Sequence, residues 1–94
     1  MEREEMFRSK VEELLKFVIS KDEKYAGKEP LANIKDLAST WGLPPWNYCC
    51  MRIHEKLNRL KRNNRNKDII REELRDIWGY CLLGLLLLEE EEQT

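Results

Sequence analysis

The stretch Arg52–Cys81, RIHEKLNRLKRNNRNKDIIREELRDIWGYC, decides the fold. Ile53, Leu57 and Leu60 recur at spacings of four and three, which is the period of an amphipathic helix. The pattern breaks over Asn63–Lys67, where no apolar residue occurs, and resumes at Ile70, Leu74, Ile77 and Cys81. So short a polar break makes two helices into antiparallel neighbours. Asn66 or Asp68 can cap the second helix, and Glu72 and Glu73 near its start suit the helix dipole. One residue conflicts with the pattern. Glu73 falls where the second helix should present a hydrophobe.

Upstream, the first helix of the pair begins at about Trp46 and ends at about Arg62, with a core stripe of Trp46, Cys49, Cys50, Ile53, Leu57 and Leu60. Pro44-Pro45 stops one helix and opens the next at its first turn. Leu31, Ile34, Leu37, Ala38 and Trp41 share one face of a short helix that Gly42 closes as a C-terminal cap would. Trp41 and Trp46 are expected in the core, where large aromatics dominate. The segment Asp22–Pro30, DEKYAGKEP, reads as a loop on its Gly and Pro. Before it, Phe7, Val11, Leu14, Leu15 and Val18 mark a helix from Glu2 to about Lys21. Downstream, the stripe Ile70, Leu74, Ile77, Cys81, Gly84 and Leu88 carries the last helix to about Glu90. No run alternates β-branched and polar residues. The expectation is all-α: a single domain, residues 1–94, built as a small bundle of a long helix, a short helix and a helical hairpin, with Glu89–Glu92 in a solvated acidic tail.

The net charge is −1, so charge alone indicates neither nucleic acid nor membrane. Its distribution is uneven: Arg59–Lys67, RLKRNNRNK, holds five bases and no acid. Three cysteines, two adjacent, make no disulfide framework, and with no signal peptide in the sequence they favour a reducing, cytoplasmic setting. One histidine, His54, expected on the surface, and no Cys-x-x-Cys argue against zinc. The apolar run Ile77–Leu88 is too short to span a bilayer. Cys81–Leu88, CLLGLLLL, is apolar on every side, and a helix apolar all round is buried all round. So short a chain has too few other helices to surround it. The expectation is a homo-oligomer through Cys81–Leu88, with Gly84 allowing close approach of a helix from another subunit.

On a helical wheel, Arg52, Lys56 and Arg59 line one flank of the first hairpin helix, and Glu73, Asp76 and Tyr80 one ridge of the second. Glu55 lies toward solvent. The two ridges meet if the helices pack with these flanks together. A carboxylate on a core face costs several kcal/mol unless it is paired or binds something. Three readings stay open. Lys56 or Arg59 neutralises Glu73 or Asp76 in a structural network that Tyr80 completes. Alternatively, Glu73-x-x-Asp76 places two carboxylates on adjacent turns for Mg²⁺. In the third reading, Arg52, Lys56 and Arg59 bind phosphate while Glu73, Asp76 and Tyr80 orient them or read a base or ribose.

Lys24-Tyr25-Ala26-Gly27, Pro30-Leu31-Ala32-Asn33, Lys56-x-x-Arg59 and Asp76-x-x-Gly79-Tyr80, in this order over about Lys21–Glu90, resemble small phage-encoded helical proteins of the MazG-like, nucleotide-modification-associated kind. These are similar to the all-α nucleoside triphosphate pyrophosphohydrolases. That resemblance implies an oligomeric helical bundle using Mg²⁺ to split a nucleotide between its α and β phosphates. The family's metal motif is Glu-Glu-x-x-Glu on one helix and Glu-x-x-Asp on the next. The second half stands here as Glu73-x-x-Asp76. In the first half the corresponding positions are Met51, Arg52 and Glu55, so one acid of three remains.

The expectation is therefore a phage-type protein that binds and sequesters a nucleotide, or a cyclic or signalling nucleotide of host immunity, without cleaving it. Arg52, Lys56 and Arg59 hold phosphates, and Tyr25, Trp46 or Tyr48 stacks on a base. Lys28 and Asn33 close the Tyr25–Asn33 loop over the ligand. The alternative is a Mg²⁺-dependent pyrophosphohydrolase with Glu55, Glu73 and Asp76 as metal ligands, and the third a nucleic-acid module using RLKRNNRNK. The acidic tail and negative net charge weigh against the third.

Overall fold

The computed structural model describes all residues, Met1–Thr94, as four helices: α1 (Arg3–Ala26), α2 (Ala32–Thr40), α3 (Pro45–Arg62) and α4 (Lys67–Glu92). The all-α expectation holds. The cross-contacts of the hairpin pair Arg59 with Glu73, Lys56 with Asp76 and Arg52 with Tyr80, so α3 and α4 run antiparallel. Lys21 on Asp76 and Val18 on Gly79 show that α1 also runs antiparallel to α4. A Cβ on Gly79 would lie 3.1 Å from Val18 Cγ2, so a glycine here lets α1 settle close to α4. The buried apolar residues are Val18, Ile34, Ala38, Cys49 and Leu87, of which Ile34, Cys49 and Leu87 form one cluster packed by Leu31, Trp46, Tyr48, Tyr80 and Leu83.

The local signals explain most boundaries. Asn66 caps α4 by accepting from the backbone N–H of Asp68 and Ile69, which settles which residue is the cap. Gly42, at φ 67°, ends α2 in the left-handed conformation, with Leu43 N–H donating to Ala38 O. Pro45 opens α3 at its first turn. Glu89–Glu92 continue α4 as exposed helix, and His54 is exposed as expected.

Three expectations are corrected. The loop over Asp22–Pro30 begins only at Gly27, because Asp22–Ala26 contains no breaker and α1 runs on through it. This extra turn carries Asp22 and Tyr25 into the site described below. The apolar stripes of the hairpin face the core only in part: Trp46 and Cys49 pack there, and the other edge of each stripe is left outside. Cys50, Leu57, Leu74, Cys81 and Leu88 are exposed, while Cys49, Lys56, Glu73, Asp76 and Leu87 are buried. The physical reason is that α1 and α2 cover the polar side of the hairpin and leave its apolar side open. Trp41 is 72% exposed at the end of α2, and Phe7 and Val11 project from the uncovered first half of α1. Gly84 lies on the α3 side of α4, where a Cβ would stand 3.5 Å from Cys49 Cβ, an ordinary packing distance.

The α1–α2 connection carries the one strained non-glycine residue. Leu31 has φ 64°, a conformation that costs an L-residue about 1–2 kcal/mol. It is held there because its N–H donates to both carboxylate oxygens of Asp22, at 3.0 and 3.3 Å. Hydrogen bonds to a charged acceptor contribute about 1.5–3 kcal/mol. Asp22→Ala is therefore expected to lower Tm by about 6 °C or more in a domain of this size. An unchanged melting curve would show that packing of Leu31 alone fixes the turn.

Candidate functional site

Between α1, α2 and the polar side of the hairpin lies a cavity of about 280 Å³. Helix α1 contributes Phe17, Val18, Lys21, Asp22 and Tyr25; α2 contributes Asn33, Ile34 and Leu37. Helix α3 contributes Tyr48, Arg52 and Lys56, and α4 Asp76, Gly79, Tyr80 and Leu83. The spacing of Tyr48, Arg52 and Lys56, four apart, is one helical ridge.

Beneath this cavity lies a buried charge network. Lys56, 7% exposed, places its Nζ 3.3 Å from Asp76 Oδ2 and 3.7 Å from Glu73 Oε2. Lys21 Nζ reaches Asp76 Oδ1 at 2.9 Å, and Arg59 Nη1 lies 3.4 Å from Glu73 Oε1. Two carboxylates are thus met by three cations. That is the pairing the core-face acid requires, since an unpaired buried charge costs several kcal/mol. Burial pushes the Asp76 carboxyl up. The hydrogen bonds and charges of Lys21 and Lys56 outweigh it and hold the carboxyl below its ordinary value. A depressed folded-state pKa contributes stability that is complete above the ordinary aspartate value of about 3.9 and is lost as pH falls through the lower folded value.

Around the network, the cavity walls combine cations and phenols. Arg52 Nε donates to Tyr80 Oη at 3.3 Å, and its guanidinium lies 5.7 Å from the Tyr80 ring centre. The bond to Tyr80 raises the Arg52 pKa against the effect of burial. Burial raises Tyr48, partly offset by Arg52, so its phenol remains protonated and able to donate at neutral pH. Phe17 is held from its faces by Arg75, 4.0 Å from the ring centre, and by Lys21 at 4.8 Å.

Of the residues expected to bind ligand, the structure brings Tyr25, Asn33, Arg52, Lys56, Asp76 and Tyr80 to this cavity. Arg59 and Glu73 do not line it. Arg59 sits beside it, largely exposed, and Glu73 lies below as the partner of Lys56. Lys28 lines a neighbouring apolar groove instead, with Gly27, Pro30 and Leu86. Of the candidate stacking residues, Tyr25 and Tyr48 reach the cavity; Trp46 packs on the core. Sequence reasoning missed Asp22 because the first helix was ended one turn too early, and Phe17 and Lys21 because no local pattern sets α1 against the polar side of the hairpin. The unbroken run of helix formers up to Gly27 was the signal that could have found Asp22.

The three acids expected to bind Mg²⁺ do not form a ligand set. Glu55 is exposed and paired with Arg52 on its own helix. Between Glu73 and Asp76 stands the Lys56 ammonium, which fills the position a shared cation would take. No group of three His, Cys, Asp or Glu side chains converges anywhere in the structure. The residues present do not fit the metal. No helix is long and apolar enough to cross a membrane. Neither a family model, nor a curated protein, nor a solved structure matches the chain.

Proposed function

We propose that this chain binds a small nucleotide in the cavity between α1, α2 and the hairpin, and holds it without cleaving it. The observation that carries this reading is the mixed lining of one cavity. Arg52, Lys56 and Lys21 stand beside Tyr25, Tyr48 and Tyr80. Guanidinium and ammonium groups suit phosphate oxygens. Phenol rings offer a face for a base and a hydroxyl for its edge or ribose. A volume of about 280 Å³ suits a single nucleotide unit, free or as one half of a cyclic dinucleotide. Because Glu73 and Asp76 are already neutralised by lysine and arginine, they are not available to gather Mg²⁺ for hydrolysis. Sequestration of a signalling nucleotide by a phage-type MazG-like protein is the narrower form of this proposal. It rests on the resemblance of the motifs from Lys24 to Tyr80. Self-association through the Cys81–Leu88 segment belongs to the same proposal.

The test is incubation of the pure protein with linear and cyclic nucleotides, with Mg²⁺ or EDTA, followed by filtration, heating and chromatography of what is released. Intact release of a bound nucleotide in EDTA is the expected result. Turnover that needs Mg²⁺ would establish the pyrophosphohydrolase reading instead. Retention of no nucleotide in any condition would end the proposal.

A further inference from the structure

One side of the α3–α4 hairpin has no partner within the chain. Cys50 and Leu57 on α3 and Leu74, Cys81, Leu85 and Leu88 on α4 are all exposed there. On α4 these four recur at spacings of seven, four and three, so they form one stripe. Gly79, on which α1 packs, is about 160° round the helix from Cys81, and Tyr48 of the cavity is about 160° round from Cys50. The apolar side and the cavity side are therefore opposite faces of the same hairpin. The chain's accessible surface is 7454 Å². A folded monomer of this mass exposes about 5,700 Å². The excess is about twice what one partner hides in a standard interface of roughly 800 Å² a side.

The two ends of this face carry opposite charge. Lys61, Arg62, Arg65 and Lys67 at the turn make no ion pair, nor do Glu89, Glu91 and Glu92 at the far end of α4. The ends are separated by the length of α4, about 39 Å for 26 residues. A second copy laid parallel on this face sets base against base and acid against acid. A copy laid antiparallel, across a two-fold axis, sets each basic turn on the other's acidic end.

We infer that this face is the interface of a two-fold homodimer in which two α3–α4 hairpins pack antiparallel, the basic turn of each copy meeting the acidic end of the other. The inference rests on the proposed self-association and adds to it the surface and the orientation. It leaves the nucleotide cavity open on the opposite side of each copy.

The test uses the full chain. Light scattering is expected to give about twice 11.3 kDa. The variant Leu74→Glu/Leu85→Glu, altered only at exposed positions, is expected to keep its helical circular dichroism and to run as a monomer. Alkylation of Cys50 and Cys81 is then expected to be slow in the parent and fast in the variant. Protein labelled with ¹⁵N and unlabelled protein are mixed and coupled with a carbodiimide, which joins a lysine amine to a carboxylate with loss of water. Mixed-isotope links between Lys61 or Lys67 and Glu89, Glu91 or Glu92 are expected. A monomeric parent at all concentrations overturns self-association itself. A dimer whose mixed-isotope links never join turn to tail overturns the antiparallel orientation alone. A dimer that survives the double variant overturns this face as the interface.

Discussion

Lys56→Met is expected to be the most destabilising single substitution in the site, lowering Tm by about 12 °C or more. The reasoning runs from burial. Lys56, Glu73 and Asp76 are each at least nine-tenths buried, and Lys56 is the only cation that touches both acids. Removing one member of a buried ionic network costs about 3–5 kcal/mol, because the two acids left behind lose the one cation buried with them, keep only the partly exposed Lys21 and Arg59, and cannot reach water. A chain of this length has about 5–14 kcal/mol of stability in total, and each kcal/mol moves Tm by about 4–8 °C. Adding Glu73→Gln and Asp76→Asn to Lys56→Met removes the stranded charges and is expected to recover most of the loss. Melting is measured at one protein concentration, since self-association makes Tm concentration-dependent. A Tm for Lys56→Met within about 3 °C of the parent would show that Lys21 and Arg59 neutralise the acids unaided. The parent should also lose stability below about pH 4, the window set by the depressed Asp76 carboxyl, and Asp76→Asn should flatten that acid limb.

The hairpin, its tight turn and the Asn66 cap were legible in the sequence because they depend on local signals: a 3.6-residue period, a polar break and a side chain able to accept backbone N–H groups. The meeting of Lys56 and Arg59 with Glu73 and Asp76 was also legible, since antiparallel packing of adjacent ridges follows from the wheel. What the wheel could not supply was the side of the hairpin that α1 would choose. Hydrophobicity favours the stripe Ile53–Leu57 and Leu74–Cys81. In the structure α1 takes the polar side instead, through Lys21 on Asp76, Val18 on Gly79 and Phe17 on Arg75. That choice depends on contacts 55 or more residues apart in the chain, which no local period encodes. The same rotation makes Lys56 a core residue rather than a flank residue. Arg52 and Arg59 share that flank but stand about two turns apart along α3, and only Arg52 lies where α1 and α2 close the cavity.

That separation gives the second large effect, and it divides two residues the sequence treats alike. Arg52→Ala is expected to weaken nucleotide binding by about 10–100-fold, the equivalent of one charge-assisted hydrogen bond to a phosphate. Its effect on Tm should be modest, because its ion pair with Glu55 is at the surface, where such pairs contribute at most about 1 kcal/mol, and its other bond, to the Tyr80 hydroxyl, is long at 3.3 Å. Arg59→Ala should do the opposite. Arg59 is outside the cavity and supports Glu73, which keeps Lys56 as a second partner. Binding should stay within about 3-fold of the parent while Tm falls by about 2–6 °C. Calorimetry with the nucleotide retained in the panel experiment, run beside thermal melts of both variants, separates the two outcomes. If Arg59→Ala abolished binding and Arg52→Ala did not, the phosphates would lie along the outer ridge toward the basic turn, and the cavity would have to be surrendered as the site. If both variants lost binding together with no change in melting, the ligand would span the cavity mouth from Arg52 to Arg59. A cyclic dinucleotide, with two phosphates and two bases, has the reach to do so where a mononucleotide does not.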